Sequence, residues 1–203
     1  MAVTPRLVLA SASPARLRLL RSAGFDPEVV VSGVDEDVAD GLTVASAVAV
    51  LAERKALAVA AHCAEALVVG CDSLLDVGGR ALGKPAHPAD AVALWAWLRG
   101  REGTLRTGHC VVDTRSAATA QGVCSTVVRF GTPTDAEIDA YVATGEPLTV
   151  AGGFTLEGFG APFVDGIDGD AGNVLGLSLP TLRSLLAELG VAITDLWSGA
   201  SPD

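Results

Sequence analysis

Aromatic side chains are scarce in this chain, at 4% of its 203 residues, so a core has to be built from the aliphatic residues that bring the apolar share to 50%. Long apolar runs are missing too. No segment approaches the roughly 20 residues needed to cross a bilayer, and the N-terminus lacks the basic start and apolar stretch of a secretory leader. A cytoplasmic location is the expectation. The four cysteines, Cys63, Cys71, Cys110 and Cys124, form no C-x-x-C pair and have no histidine at zinc-finger spacing. That removes the usual case for a structural metal or a disulfide framework, and reduced, mostly buried thiols are expected. Positive charge is in deficit: the formal net charge is -10. This is the wrong sign for gripping long nucleic acid by counterion release, so an anionic substrate needs a local basic cluster. Lysine is the scarcest cation, for of 14 basic residues only Lys55 and Lys84 are lysine. Two readings stand: chance survivors, or places where a compact ammonium fits and a planar guanidinium does not.

What is present is organised around the first strand, turn and helix. Residues 7–10 are an apolar run of buried-strand type, Ser13 is a good N-cap, and Pro14 suits the first helical position. Leu17, Leu20 and Ala23 recur at helical spacing, and Gly24 falls where a left-handed residue would stop the helix. A strand running straight into a helix leaves unpaired N–H groups and a positive dipole end at the junction. Ser11, Ser13 and Arg16 there form either a phosphate cradle or a plain cap beside a solvated arginine.

Further along, residues 27–31 read as a strand that leads into Asp35, Glu36 and Asp37. These acids are either a solvated turn or carboxylates at a strand's C-terminal edge, available to a divalent cation. Residues 44–61 are alanine-rich, free of glycine and proline, and read as a helix in which Lys55 lies beside the apolar stripe. The next strand, 66–70, delivers Cys71, Asp72 and Ser73 before resuming with Leu74-Leu75. A lone aspartate between apolar strand residues is expensive to bury unless paired or metal-bound, which makes Asp72 the leading acid. Cys71 beside it has no histidine at a spacing that would activate it. Gly78-Gly79 signals a hairpin returning through 80–82 to Gly83-Lys84-Pro85. Residues 88–99 read as a helix, 107–112 and 123–130 as strands, with His109 a hydrogen-bonded strand residue. Thr134 and Glu137 make a capping box for a helix ending at Gly145. Residues 151–176 hold eight of the 23 glycines and read as turns and short strands, with Asp165, Asp168 and Asp170 in solvated turns. A helix over 179–189 and a loosely ordered tail close the chain.

Together these positions supply an anion cradle, two lysines and separated carboxylates, the equipment for metal-assisted attack on a phosphoanhydride. Their order and spacing resemble the Maf family of nucleoside triphosphate pyrophosphatases almost from end to end. The matching motifs are L-A-S-A-S-P-A-R at 9–16, V-D-E at 34–36, E-R-K-A at 53–56 and V-G-C-D-S at 69–73. They continue with L-G-K-P at 82–85, A-G-G-F at 151–154 and G-L-S-L-P at 176–180.

The resemblance implies one Maf-like domain over residues 1–203, of α/β class, with a central mixed twisted sheet flanked by helices. Two lobes around a deep cleft, similar to those of inosine triphosphatases, come with it. It implies cytoplasmic hydrolysis of standard or modified nucleoside triphosphates to monophosphate and pyrophosphate with magnesium or manganese. No long nucleic acid or membrane is a partner, and a homodimer is among the assemblies open to the family. Carried over by position, Asp72 matches the catalytic proton acceptor, and Glu36 and Asp72 the metal-side carboxylates. Lys55 and Lys84 match catalytic and phosphate-binding groups, and Ser11, Ser13 and Arg16 the rest of the phosphate site. The departures concern the base. Ala15 replaces a frequent arginine, Ser73 a frequent threonine, and Val150 a frequent lysine. Glu157 stands where members preferring thymidine and uridine triphosphates have glutamine, and is similar to those acting on 7-methylguanosine triphosphate. A second reading, a non-catalytic nucleotide-binding regulator of septum formation on the same scaffold, is disfavoured by the intact Asp72 and Glu36; a phosphatase or nucleotidyl transferase using the same cradle is weaker still.

Overall fold

The computed structural model describes residues 5–38 and 41–198. Seven strands make one mixed sheet: β1 (Arg6–Leu9), β2 (Glu28–Val29), β3 (Ala66–Val77), β4 (Arg80–Leu82), β5 (Glu102–Asp113), β6 (Ala118–Phe130) and β7 (Val164–Asp168). The order is β2-β1-β3-β5-β6-β7, with β4 paired to the far end of β3. β1 is parallel to both β2 and β3, and the remaining pairs are antiparallel. Around the sheet lie α1 (Pro14–Ser22), α2 (Val44–Ala60), α3 (Pro88–Leu98), α4 (Asp135–Ala143), α5 (Ala171–Val174) and α6 (Leu179–Glu188).

Strand alternation assigns the faces. Leu7, Leu9, Leu67, Val69 and Val111 pack with Leu20 of α1 and Leu182, Leu185 and Leu186 of α6. Their neighbours Val8, Val68, Cys110 and Val112 pack on the other face against Ala52, Ala56 and Val59 of α2. A separate cluster at the opposite end of the long strands gathers Leu75, Leu105, Val128 and Phe130 with Trp95 and Leu98 of α3 and Ile138 and Tyr141 of α4. Trp95 is its centre, edge-on to Phe130, Tyr141 and Phe163, with its indole N–H donating to the Gly153 carbonyl at 2.8 Å. The molecule thus has two lobes strung on β3, β5 and β6.

Several sequence expectations shift. The strand over 27–31 shortens to Glu28–Val29, an edge pair held by β1 alone. The strand at 66–70 is not interrupted at Cys71-Asp72-Ser73 before Leu74-Leu75; β5 pairs with it residue for residue from Leu67 to Asp76 and makes one continuous strand. Asp165 and Asp168 lie on β7 rather than in turns, and Asp170 caps α5 by accepting from the Gly172 N–H at 2.8 Å. The end of the described chain is tied down: Trp197 bridges to Phe25 and the Ser198 N–H donates to the Gly24 carbonyl at 2.8 Å, while residues 199–203 lie outside the described residues. The thiols are free as expected, three of them buried.

Candidate active site

The site forms where β3 loses one neighbour before gaining the next. β1 pairs with β3 only up to Val69, and β4 joins at Leu75. Along the intervening residues that edge of β3 is open among the described residues, and both helix layers send side chains to it.

From one side comes α2. It lies almost on the sheet backbone, because Gly70 and Gly108 face it: a Cβ on Gly70 would meet the Ala56 nitrogen at 2.7 Å, and one on Gly108 the Ala49 nitrogen at 2.8 Å. Gly108 is the register partner of Asp72. The close approach brings the Lys55 ammonium to 2.6 Å from Asp72 Oδ1 and 2.6 Å from Glu36 Oε1. Lys55 and Asp72 are 8% and 7% exposed. Each residue of the E-R-K motif has its own task. Glu53 accepts from Gln121 at 2.7 Å, and Arg54 donates to the carbonyls of Asp35 and Asp37 at 2.7 and 2.8 Å, clamping their turn onto α2 so that Glu36 meets Lys55. Asp35 stays local, its carboxylate accepting from the Asp37 N–H at 3.0 Å, so Glu36 alone of the three acids reaches the site.

From the other side comes α1. Ser13 caps it, accepting from the Arg16 N–H, and Ser11 accepts from the Ser13 N–H at 3.2 Å. The Arg16 guanidinium, 9% exposed, donates from Nη1 to Ser11 at 3.0 Å, from Nη2 to Ser73 at 3.0 Å and from Nε to the Gly176 carbonyl at 2.7 Å. Of its five donors two then remain for an anion, next to the positive end of the helix. The solvated-arginine reading is thereby set aside.

Lys84 sits exposed in the turn after β4. That turn is held by the A-G-G-F motif: the Gly152 N–H donates to the Gly83 carbonyl at 2.9 Å, and Gly153 packs on Pro85. Gly152 has φ +71 and a Cβ there would meet Leu75 at 2.8 Å, so glycine is required. A cavity of about 510 Å3 opens beside it, lined by Arg80, Leu82, Lys84, Pro85 and Trp97. Ala15 is half-buried in the first turn of α1 and Glu157 is exposed on the 155–160 loop. Glu157 pairs with Arg18 at 2.6 Å, a partner that nothing in the local sequence singles out. The loop hangs on Glu146, whose carboxylate accepts from Thr155 Oγ1 and from the N–H groups of Phe159 and Gly160.

The electrostatics divide the two carboxylates. Burial raises the Asp72 carboxyl above its ordinary value, and Lys55 and Arg16 pull it only part of the way back. Glu36 is held below its ordinary value, first by its hydrogen bond from Lys55 and further by the charges of Lys55, Lys84 and Arg16, against a smaller effect of burial. Burial pushes the Cys71 thiol up to about 11, which keeps it protonated and unfit as a nucleophile.

Glu36 and Asp72 converge on one ammonium, so their oxygens border a common point. Among the described residues no three His, Cys, Asp or Glu side chains gather into a metal site. A magnesium ion usually takes one or two protein carboxylates and completes its shell with phosphate oxygens and water, and this donor set fits that pattern.

The chain is 63% identical over 195 residues to a nucleoside triphosphate pyrophosphatase of Streptomyces avermitilis, covering 95% of each chain. A Streptomyces coelicolor protein of the same name is 63% identical over 197 residues, covering 96% of each, and one from Saccharopolyspora erythraea is 56% identical over 204 residues, covering 95% of this chain and 97% of that one. A remote likeness, with TM-score 0.41 and 16% identity, links it to a crystal structure of a nucleoside-triphosphatase / dITP/XTP pyrophosphatase from Mycobacterium abscessus, covering 90% of this chain and 93% of that one. The family model for Maf-like proteins matches residues 6–189, the span that holds every side chain of the site, and the chain belongs to that family.

Proposed function

We propose that this protein is a cytoplasmic, single-domain nucleoside triphosphate pyrophosphatase that hydrolyses the α–β phosphoanhydride to a nucleoside monophosphate and pyrophosphate. The observation that carries the reading is the meeting, at one open strand edge, of the buried Asp72–Lys55 pair with the Arg16 cradle. The shared name of its relatives supports the same activity.

Asp72 takes the proton from a water directed at the α-phosphorus; its raised pKa suits a general base working near neutrality. Lys55 fixes the direction of the Asp72 and Glu36 carboxylates. Arg16, Ser11 and the first turn of α1 meet phosphate oxygens with N–H and O–H donors, stabilising charge as it moves onto the departing pyrophosphate. Lys84 adds an exposed point charge on the far side, and its field already reaches Glu36. Glu36 and Asp72 would hold a divalent cation, magnesium or manganese, which supplies neutralisation of the phosphates and acidification of water when bound. Base selection falls to Glu157, braced by Arg18, with Ala15 and Ser73 at the root of the cradle.

The test is product analysis on a panel of nucleoside triphosphates in water enriched in the heavy oxygen isotope. Label confined to the monophosphate, with intact unlabelled pyrophosphate, is expected. Diphosphate and orthophosphate as first products would overturn the assignment, and turnover unaffected by EDTA would remove the cation from it.

A further inference from the structure

Arg16 is held from behind by a closed circuit of hydrogen bonds. Ser73 and Thr107 are register partners on β3 and β5, and their hydroxyl oxygens are 2.9 Å apart. Thr107 Oγ1 is also 3.2 Å from the Asn173 carbonyl. A carbonyl only accepts and a hydroxyl has one hydrogen, so the Thr107 hydrogen goes to Asn173 and the Ser73 hydrogen goes to Thr107. Ser73 then accepts from Arg16 Nη2, as its distance of 3.0 Å requires. The Asn173 carbonyl receives a second donor, the Gly176 N–H, at 2.9 Å, and the Gly176 carbonyl receives Arg16 Nε at 2.7 Å. Two arms of one guanidinium therefore end on one short segment.

That segment is itself fixed. Asn173 is fully buried, and its side-chain amide donates to the Leu105 carbonyl and to Thr126 Oγ1, both at 3.1 Å. Gly176 adopts φ +102, and a Cβ there would lie 3.0 Å from Arg16 Nε. Thr107 is 0% exposed, out of reach of any substrate.

We propose that Thr107 is a positioning residue for substrate binding: by fixing the hydrogen of Ser73 away from Arg16, its hydroxyl holds the guanidinium in its phosphate-binding direction. The inference rests on Arg16 being a phosphate ligand. Each hydroxyl that gives up its hydrogen to the next becomes a better acceptor for the one before, so the circuit strengthens the bond nearest the charge. Without the Thr107 hydroxyl, the Ser73 hydrogen has no set acceptor and turns toward the guanidinium in part of the population.

Steady-state kinetics and thermal unfolding of Thr107→Val, Thr107→Ser, Ser73→Ala, the Thr107→Val/Ser73→Ala double variant and Arg16→Ala test it. Valine keeps the shape and loses the hydroxyl; it should raise KM about fivefold, the scale of one hydrogen bond, with kcat within about twofold. Thr107→Ser should bring KM back to within about twofold of wild type, a residue acting through one hydroxyl being rescued by another. The double variant should be no worse than Ser73→Ala alone, since a residue that acts only through Ser73 has nothing left to act on. A KM unchanged in Thr107→Val, or penalties that multiply in the double variant, overturns the proposal. Thr107→Ala gives the same readings should the valine variant not fold. If Arg16→Ala itself leaves KM unchanged, the phosphate-binding reading falls first and this one with it; if Arg16→Ala raises KM and Thr107→Val does not, this one falls alone.

Discussion

Asp72 and Ser73 are neighbours on one strand that serve opposite faces of the sheet, Asp72 taking the Lys55 ammonium at 2.6 Å and Ser73 the Arg16 guanidinium at 3.0 Å. Strand alternation thereby separates two tasks that would interfere if they shared a side chain. In the proposed function, proton handling falls to the α2 side and anion binding to the α1 side, and the open edge of β3 is where they meet.

Asp72→Asn is the sharpest probe of the first task. Asparagine keeps the shape and loses the basicity, so kcat should fall roughly 100-fold or more, the scale for losing a positioned general base. The folded pKa of Asp72 is raised, so ionising it costs stability as pH rises just above the unfolded carboxylate value. At neutral pH the unliganded variant should therefore be as stable as wild type or more so. Urea unfolding and single-turnover rates check both; turnover within a few-fold of wild type removes Asp72 from the mechanism.

The two lysines should respond differently to arginine. Lys55 is wedged between two carboxylates in a space made by Gly70 and Gly108, so Lys55→Arg should lose both stability and kcat. Lys84 is exposed, and Lys84→Arg should leave the unfolding midpoint unchanged while raising KM. Equal, near-wild-type kinetics in both variants would make the lysines chance survivors of composition.

Much of this was legible from residues alone. The Ser13 cap, the Pro14 start, the Gly24 stop and the 44–61 helix depend on local backbone preferences, and all four are where the sequence puts them. Asp72 could be singled out because an acid in an apolar strand demands a partner, and Lys55 is that partner. The circuit through Thr107, Asn173 and Gly176 was not legible: a threonine in a strand reads as strand propensity, and only pairing of β3 with β5 sets it opposite Ser73. Arg54 and Arg18 were passed over for the same reason, since nothing local distinguishes an arginine that clamps a distant turn from a solvated one. Residues 102–106 of β5 and 118–122 of β6 do not read as strand because they are mostly polar or small, and each stretch takes its regularity from the strand residues opposite, 125–129 and 109–113.

Gly108→Ala tests the helix contact that makes the site. The added methyl collides with the Val48 carbonyl and lies 2.8 Å from the Ala49 nitrogen, so α2 must shift and take Lys55 with it. A loss of about 2 kcal/mol in stability, within the range for overpacking, should come with a drop in kcat. Gly122→Ala is the control, because a methyl there meets Thr181 at an ordinary 3.4 Å. Equal activity in the two variants would mean that the close approach of α2 does not matter for catalysis.

Acid should weaken the fold through His109. This residue is 1% exposed, with Nδ1 donating to the Thr107 carbonyl at 3.1 Å and Nε2 accepting from the Ser178 N–H at 2.8 Å, which requires the neutral ring. Burial, helped by the charge of Arg16, lowers its pKa to about 4. The unfolded chain, with an ordinary pKa of about 6.5, binds the extra proton first, so stability falls as pH drops from there to about 4. Full development of that slope amounts to about 3 kcal/mol. His109→Gln should lower stability at neutral pH and flatten the difference between pH 7 and pH 4.5, measured by urea unfolding; an unchanged slope would show that His109 does not set it.

The Arg16–Gly176 bond joins residues 160 positions apart, and the Lys84 turn waits in the same way for Gly152. On a ribosome the Arg16 segment therefore emerges long before its partner, and the cradle cannot assemble until Gly176 has followed. Local helices can form early, whereas contacts this distant in sequence close late and together. Hydrolytic capacity would then arise in one step once Gly176 has emerged, and a chain terminated before that residue would carry every acidic and basic residue of the centre yet leave the surrounding nucleotide pool untouched.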